Sequence, residues 1–121
     1  MDRQEAGRAW EAVARDYLQS QGLEILRQRY RCRLGELDLV CRDGATIAVV
    51  EVRARRKGSI TSALDSIDWN KQRKIILTTR HLLMCNPCWN TRPLRFDVIT
   101  VTDIDTPTPR LEWTQNAFSA D

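Results

Sequence analysis

The stretch GELDLVCRDGATIAVVEVR, Gly35–Arg53, reads as two apolar strands that meet at Asp43 and Gly44. Asp-Gly is favoured in two-residue hairpin loops because both central positions need positive φ. Pairing backwards from that loop sets Arg42 opposite Ala45, Val40 opposite Ile47, Asp38 opposite Val49 and Glu36 opposite Glu51. Asp38 and Glu51 then project to the same side as diagonal neighbours, with Cβ atoms roughly 7 Å apart, and Arg53 joins them two residues on. Leu37, Leu39, Ala48, Val50 and Val52 are expected to line the other face.

Acids inside apolar strands need a counter-charge, because neighbouring carboxylates repel and burial makes each charge costly. Two partners fit. A hard divalent cation is held by one or two carboxylates together with water and substrate phosphate. Arg53 and the nearby arginines would instead neutralise the same acids as a salt-bridge network. The sequence leaves both open.

Before the hairpin, Asp2 and Glu5 have the spacing of a helix start, Trp10, Val13, Ala14, Tyr17 and Leu18 recur at helical intervals, and Gly22 supplies the stop. Glu11 falls on the margin of this apolar stripe, placed to point along the sheet that the helix covers. A strand begins at Leu23–Ile25, and alternation then puts Arg27, Arg29, Arg31 and Arg33 on one side as a basic ridge, if the backbone stays extended.

Beyond the hairpin, Ile75, Ile76, Thr79, Leu82 and Leu83 mark the buried stripe of a second helix, with Lys71, Arg73, Lys74 and Arg80 around it. A loop through Asn86-Pro87 and Arg92-Pro93 leads to the alternating strand LRFDVITV, and Leu111–Trp113 suggests a short edge strand. Asp97, polar in that apolar strand, is expected to pair with an arginine. His81 is expected to be structural, and Cys32, Cys41, Cys85 and Cys88 to be reduced, since their spacing fits neither a disulfide framework nor a complete zinc site.

The 121 residues point to a single domain spanning 1–121, and no apolar run has the length of a membrane span, so a cytoplasmic location is expected. The net charge of +3 is unevenly spread, with the Lys and Arg excess lying between Ile25 and Lys74. Such an excess attracts polyanions, nucleic acid first among them.

Together, the Glu11 helix with Tyr17-Leu18, the strand Gly35–Val40, Glu51-Val52-Arg53 followed by Arg55, Lys71, Arg95–Val98 and Asn116–Phe118 carry a resemblance. The chain resembles the YraN-like family of small bacterial proteins, within the restriction-endonuclease-like, PD-(D/E)xK nuclease superfamily. That resemblance implies an α/β/α core with a mixed central sheet flanked by helices. It implies that Asp38, Glu51 and the carbonyl of Val52 hold Mg²⁺ or Mn²⁺, that Glu11 is an added helical acid, and that Arg53 stands where the pattern most often has lysine. Arginine supplies charge but does not readily accept a proton, its pKa staying above about 12. Lys57 and Lys71 are the alternative amines.

The activity implied is hydrolysis of phosphodiester bonds in structured or damaged DNA, RNA being the less favoured substrate. Nucleic-acid binding without turnover is the alternative on the same fold. Arg29, Arg31, Arg55 and Lys71 are the expected nucleic-acid contacts, and the small size favours a homodimer or a larger protein partner for substrate choice.

Overall fold

The computed structural model describes residues 3–58 and 65–120, the side chains of 3–6 excepted; the helix start expected at Asp2 and Glu5 lies outside them. Helix α1 spans Arg3–Ser20, strands β1 to β3 span Glu24–Cys32, Gly35–Asp43 and Thr46–Ala54, helix α2 spans Trp69–Cys85, and strands β4 and β5 span Leu94–Thr102 and Arg110–Phe118. The five strands form one sheet in sequence order. Neighbours are antiparallel except β3 and β4, which run parallel and are joined through α2. A parallel pair needs such a crossover, so the helix between them is dictated by topology.

Each face of the sheet carries one helix and one apolar cluster. On the α1 side, Ala14 and Leu18 pack on Leu39, Cys41, Ala48, Val50, Val52, Ile99 and Val101. On the α2 side, Ile75, Ile76 and Leu82 pack on Leu37, Val40, Ile47, Val49, Phe96 and Val98. Strand β3 is buried on both faces, which explains its continuous apolar run from Ile47 to Val50. The mixed sheet between two helical layers is the α/β/α arrangement that the resemblance implies.

Several expectations shift. Val13 is exposed rather than part of the α1 stripe, and Leu83 is only half-buried, its place in the α2 stripe taken by Thr78. Thr78 is buried because α2 presses on the start of β2: a Cβ added to Gly35 would lie 2.7 Å from its hydroxyl. The edge strand is longer than Leu111–Trp113, running from Arg110 to Phe118. Asp97 is fully buried and accepts hydrogen bonds from Arg95, the Trp113 indole and the Asn116 amide, fastening β5 to β4.

The hairpin register also differs. Asp43 pairs with Thr46, so the loop is Gly44-Ala45, and Asp43 stays in the strand with its carboxylate taken by Arg95. Every pairing moves by two residues: Val40 faces Val49, not Ile47, and Leu39 faces Val50. Parity survives such a shift, but the ladder stops at Leu39 and Val50. Past that pair alternation breaks, and Leu37 joins the α2-side cluster while Leu39 joins the α1-side cluster. Strand β1 keeps its register at the same level but not its extended backbone. Arg29, which lies between the Gln28–Leu39 and Tyr30–Leu37 pairs, has φ of 50°.

Candidate functional site

The site forms where β2 and β3 part. Asp38 and Glu51, thirteen residues apart, use their carboxylates to replace the missing ladder bonds: the Asp38 amide donates to Glu51 Oε2 at 3.1 Å. In return the Val52 amide donates to Asp38 Oδ2 at 2.8 Å. Two amides that would otherwise be orphaned are thereby satisfied, and two acids are fixed side by side. The diagonal placement expected from the sequence is thus replaced by a reciprocal latch across the split.

Burial acts on both acids. Glu51 is almost wholly enclosed, and its pKa is raised well above the ordinary carboxylate value, first by desolvation and then by the charge of Asp38. Desolvation likewise raises Asp38, to about 6, against the lowering effects of the Val52 amide and Arg53; Glu11 adds to the rise. Arg53 is the counter-charge at hand. Its Nη1 donates to the Val52 carbonyl at 2.9 Å and lies 3.5 Å from Asp38 Oδ2, while Nη2 is 3.8 Å from Glu51 Oε1. Of the two partners left open by the sequence, the guanidinium is the one these contacts describe.

The latch opens into a cleft of about 270 Å³ lined by Gly7, Arg8, Glu11, Arg29, Arg31, Glu36, Asp38, Val52 and Arg53. Helix α1 contributes Glu11 through the small Gly7 one turn earlier, as its place on the stripe margin suggested, and Arg29 holds the Glu11 carboxylate at 3.1 Å. The left-handed backbone at Arg29 turns this side chain into the cleft and ends the extended run that a four-arginine ridge requires. Arg31 remains at the cleft and pairs with Glu36, whereas Arg27 lies 5.0 Å over the Trp89 ring and donates to Asn86. Glu36 therefore faces Arg31, not Glu51.

Other expected residues lie apart from the cleft lining. Lys71 donates its ammonium to the Ser66 carbonyl near the start of α2. The guanidinium of Arg55 donates to the Ala54 carbonyl, and the Lys57 amide is held by Asp105. Arg8 lines the cleft without having been singled out; its position three residues before Glu11, on the same helical face, is the signal that marks it. His81 hydrogen-bonds the Tyr30 hydroxyl, a structural contact between α2 and β1. The four cysteines are free thiols.

A divalent ion would need oxygen donors, and Asp38, Glu51 and the Val52 carbonyl supply them. Among the described residues no three His, Cys, Asp or Glu side chains converge as a ready-made cage. The set is two carboxylates and one carbonyl, all touched by the Arg53 guanidinium. The donor chemistry fits Mg²⁺ or Mn²⁺ once that guanidinium moves aside.

The model of the uncharacterised protein family UPF0102 matches residues 10–101. A UPF0102 protein of Pseudomonas aeruginosa (strain LESB58) is 47% identical over 115 residues, covering 94% of this chain and 92% of its own. Relatives bearing the same family name are 43% identical in Pseudomonas putida (strain GB-1), over 93% of this chain and 92% of theirs, and 42% identical in Pseudomonas syringae pv. tomato, over 98% and 95%.

Proposed function

The chain belongs to the UPF0102 family, and from that premise we propose that it is a divalent-metal-dependent nuclease acting on structured or damaged DNA. The observation that carries this reading is the latch: the half-buried Asp38 carboxylate, the enclosed Glu51 carboxylate and the Val52 carbonyl brought together at a split in the sheet, with Asp38 and Val52 lining a cleft that also holds Arg8, Arg29, Arg31 and Arg53. A fold gains little from such a pair, since burying both acids raises the pKa of each. Binding sites are where such costs concentrate.

When bound, Mg²⁺ or Mn²⁺ supplies Lewis-acid stabilisation of the phosphodiester and activation of a water. Asp38 and Glu51 would hold it, with the Val52 carbonyl as third donor. Arg53, which contacts these same oxygens, would offer its charge to the phosphodiester. It is an electrostatic stabiliser and not a base. The proton of the attacking water then needs a carboxylate, and Glu11, reaching the same cleft from α1, is the residue we assign to accept it. Arg8, Arg29 and Arg31 bind and orient the backbone phosphates.

The same contacts support a second reading, in which Arg53 keeps the acids and the cleft binds nucleic acid without turnover. A substrate screen over branched, flapped, nicked and single-stranded DNA with each metal separates the two. For the nuclease, Asp38→Asn or Glu51→Gln abolishes cleavage while binding persists; equal cleavage by parent and variants defeats the assignment. Binding with no cleavage of any substrate favours the second reading.

A further inference from the structure

Helix α2 presents a solvent face that the cleft does not use. Trp69, Arg73, Arg80 and Met84 fall within roughly 60° of one another around the helix, turned away from the buried Ile75, Thr78 and Leu82 and bordered by the buried Ile76. Trp69 is 70% exposed and Met84 78%. The three other tryptophans are treated differently: Trp10 and Trp113 pack on the α1-side cluster and Trp89 on the α2-side cluster. An indole left in water contributes little to folding, because its large apolar surface is not removed from solvent.

Charge on this helix has one sign. Lys71, Arg73, Lys74 and Arg80 are all exposed, and α2 contains no Asp or Glu. Among the described residues none of the four takes part in an ion pair. The Arg73 guanidinium instead lies 6.0 Å from the centroid of the Trp69 ring. An exposed aromatic plane beside unpaired cations is the combination by which proteins hold unpaired nucleotides: the ring stacks on a base and the cations meet the phosphates.

We infer that Trp69, with Arg73 and Arg80 on the same face of α2, is a binding platform for a single-stranded nucleic acid segment. Duplex ends and interiors keep their bases stacked, so the platform selects substrates with an unpaired flank. The inference rests on the proposed nucleic-acid function for its choice of ligand, but not on cleavage.

The test is equilibrium binding by the full chain in EDTA to a labelled oligothymidylate, to a blunt duplex of equal length and to polyglutamate. Trp69→Ala should weaken oligothymidylate binding by about five- to a hundredfold, the range expected for losing one base stack. Duplex binding should change less than twofold, and Trp69→Phe should restore most of the loss. Unchanged melting of Trp69→Ala, expected from its exposure, excludes misfolding as the cause. Arg73→Ala combined with Arg80→Ala should flatten the salt dependence of oligothymidylate binding. Equal single-strand affinity in Trp69→Ala and parent overturns the platform, as does an equal loss for duplex, or polyglutamate binding as tightly as the oligonucleotide. If the platform variants behave as stated while Asp38→Asn leaves cleavage intact, the nuclease assignment alone fails.

Discussion

Raising the pH of the metal-free protein should destabilise it, and the latch sets the size of the effect. Both acids have pKa values raised in the fold, so the folded state holds protons that the unfolded chain has released. Stability is then fully present below the unfolded carboxylate pKa and is lost as pH rises through the folded one. For Asp38, the rise from 3.8 to about 6 corresponds to about 3 kcal/mol. That is on the order of 10 °C in Tm for a domain of this size, and Glu51 shifts in the same direction. Thermal melts in EDTA from about pH 4 to about pH 8 measure the effect, with Asp38→Asn as the comparison, since an amide oxygen still accepts from the Val52 amide. The parent's Tm should fall as pH rises from about 4 to about 6, where only the folded state holds the Asp38 proton, and the variant's slope there should be at least halved, leaving it the more stable protein at the alkaline end. Parallel curves for parent and variant would refute the reasoning.

Glu11→Gln should lower metal-dependent cleavage tenfold or more in a single-turnover assay, because the Arg53 guanidinium cannot take the proton in its place; an unchanged rate contradicts the role assigned to Glu11. Gly35→Ala should cost about 1–3 kcal/mol in a denaturant melt, since the new Cβ meets the Thr78 hydroxyl at 2.7 Å. Pairing it with Thr78→Ala should recover only part of that loss, because the backbone at Gly35, with φ of 156°, strains any side chain placed there. Asp97→Ala should cost about 3–5 kcal/mol, because it leaves the partly buried Arg95 with Asp43 alone and strips the Trp113 and Asn116 donors of their buried acceptor; a melt within about 1 kcal/mol of the parent would contradict the fastening of β5.

The elements were legible because each rests on a local pattern. The stripe Trp10–Leu18, the doubly apolar β3 and the stripe from Ile75 to Leu82 follow from side-chain period, and the Asp43-Gly44 region marked a turn within one residue of its place. Juxtaposition of Asp38 with Glu51 survived the wrong register because a two-residue shift preserves parity. The split itself was not legible. Alternation presumes an unbroken ladder, whereas here carboxylates take the amides that carbonyls would have taken, moving Leu37 to the opposite face from Leu39. Arg29 escaped for a related reason: nothing in RQRYRCR signals a left-handed residue inside a strand. Trp69 stands outside both apolar stripes, and no periodicity draws the eye to a residue whose side chain packs on neither cluster.

Titration calorimetry of Mn²⁺ into the parent, Asp38→Asn, Glu51→Gln and Arg53→Gln, each with and without an oligonucleotide, bears most directly on whether the latch is a metal site. One ion per chain should bind the parent, neither acid variant should bind it, and Arg53→Gln should bind more tightly because the guanidinium no longer competes for the same oxygens. No uptake by the parent even with the oligonucleotide present, or uptake unaltered by loss of either acid, would contradict the account.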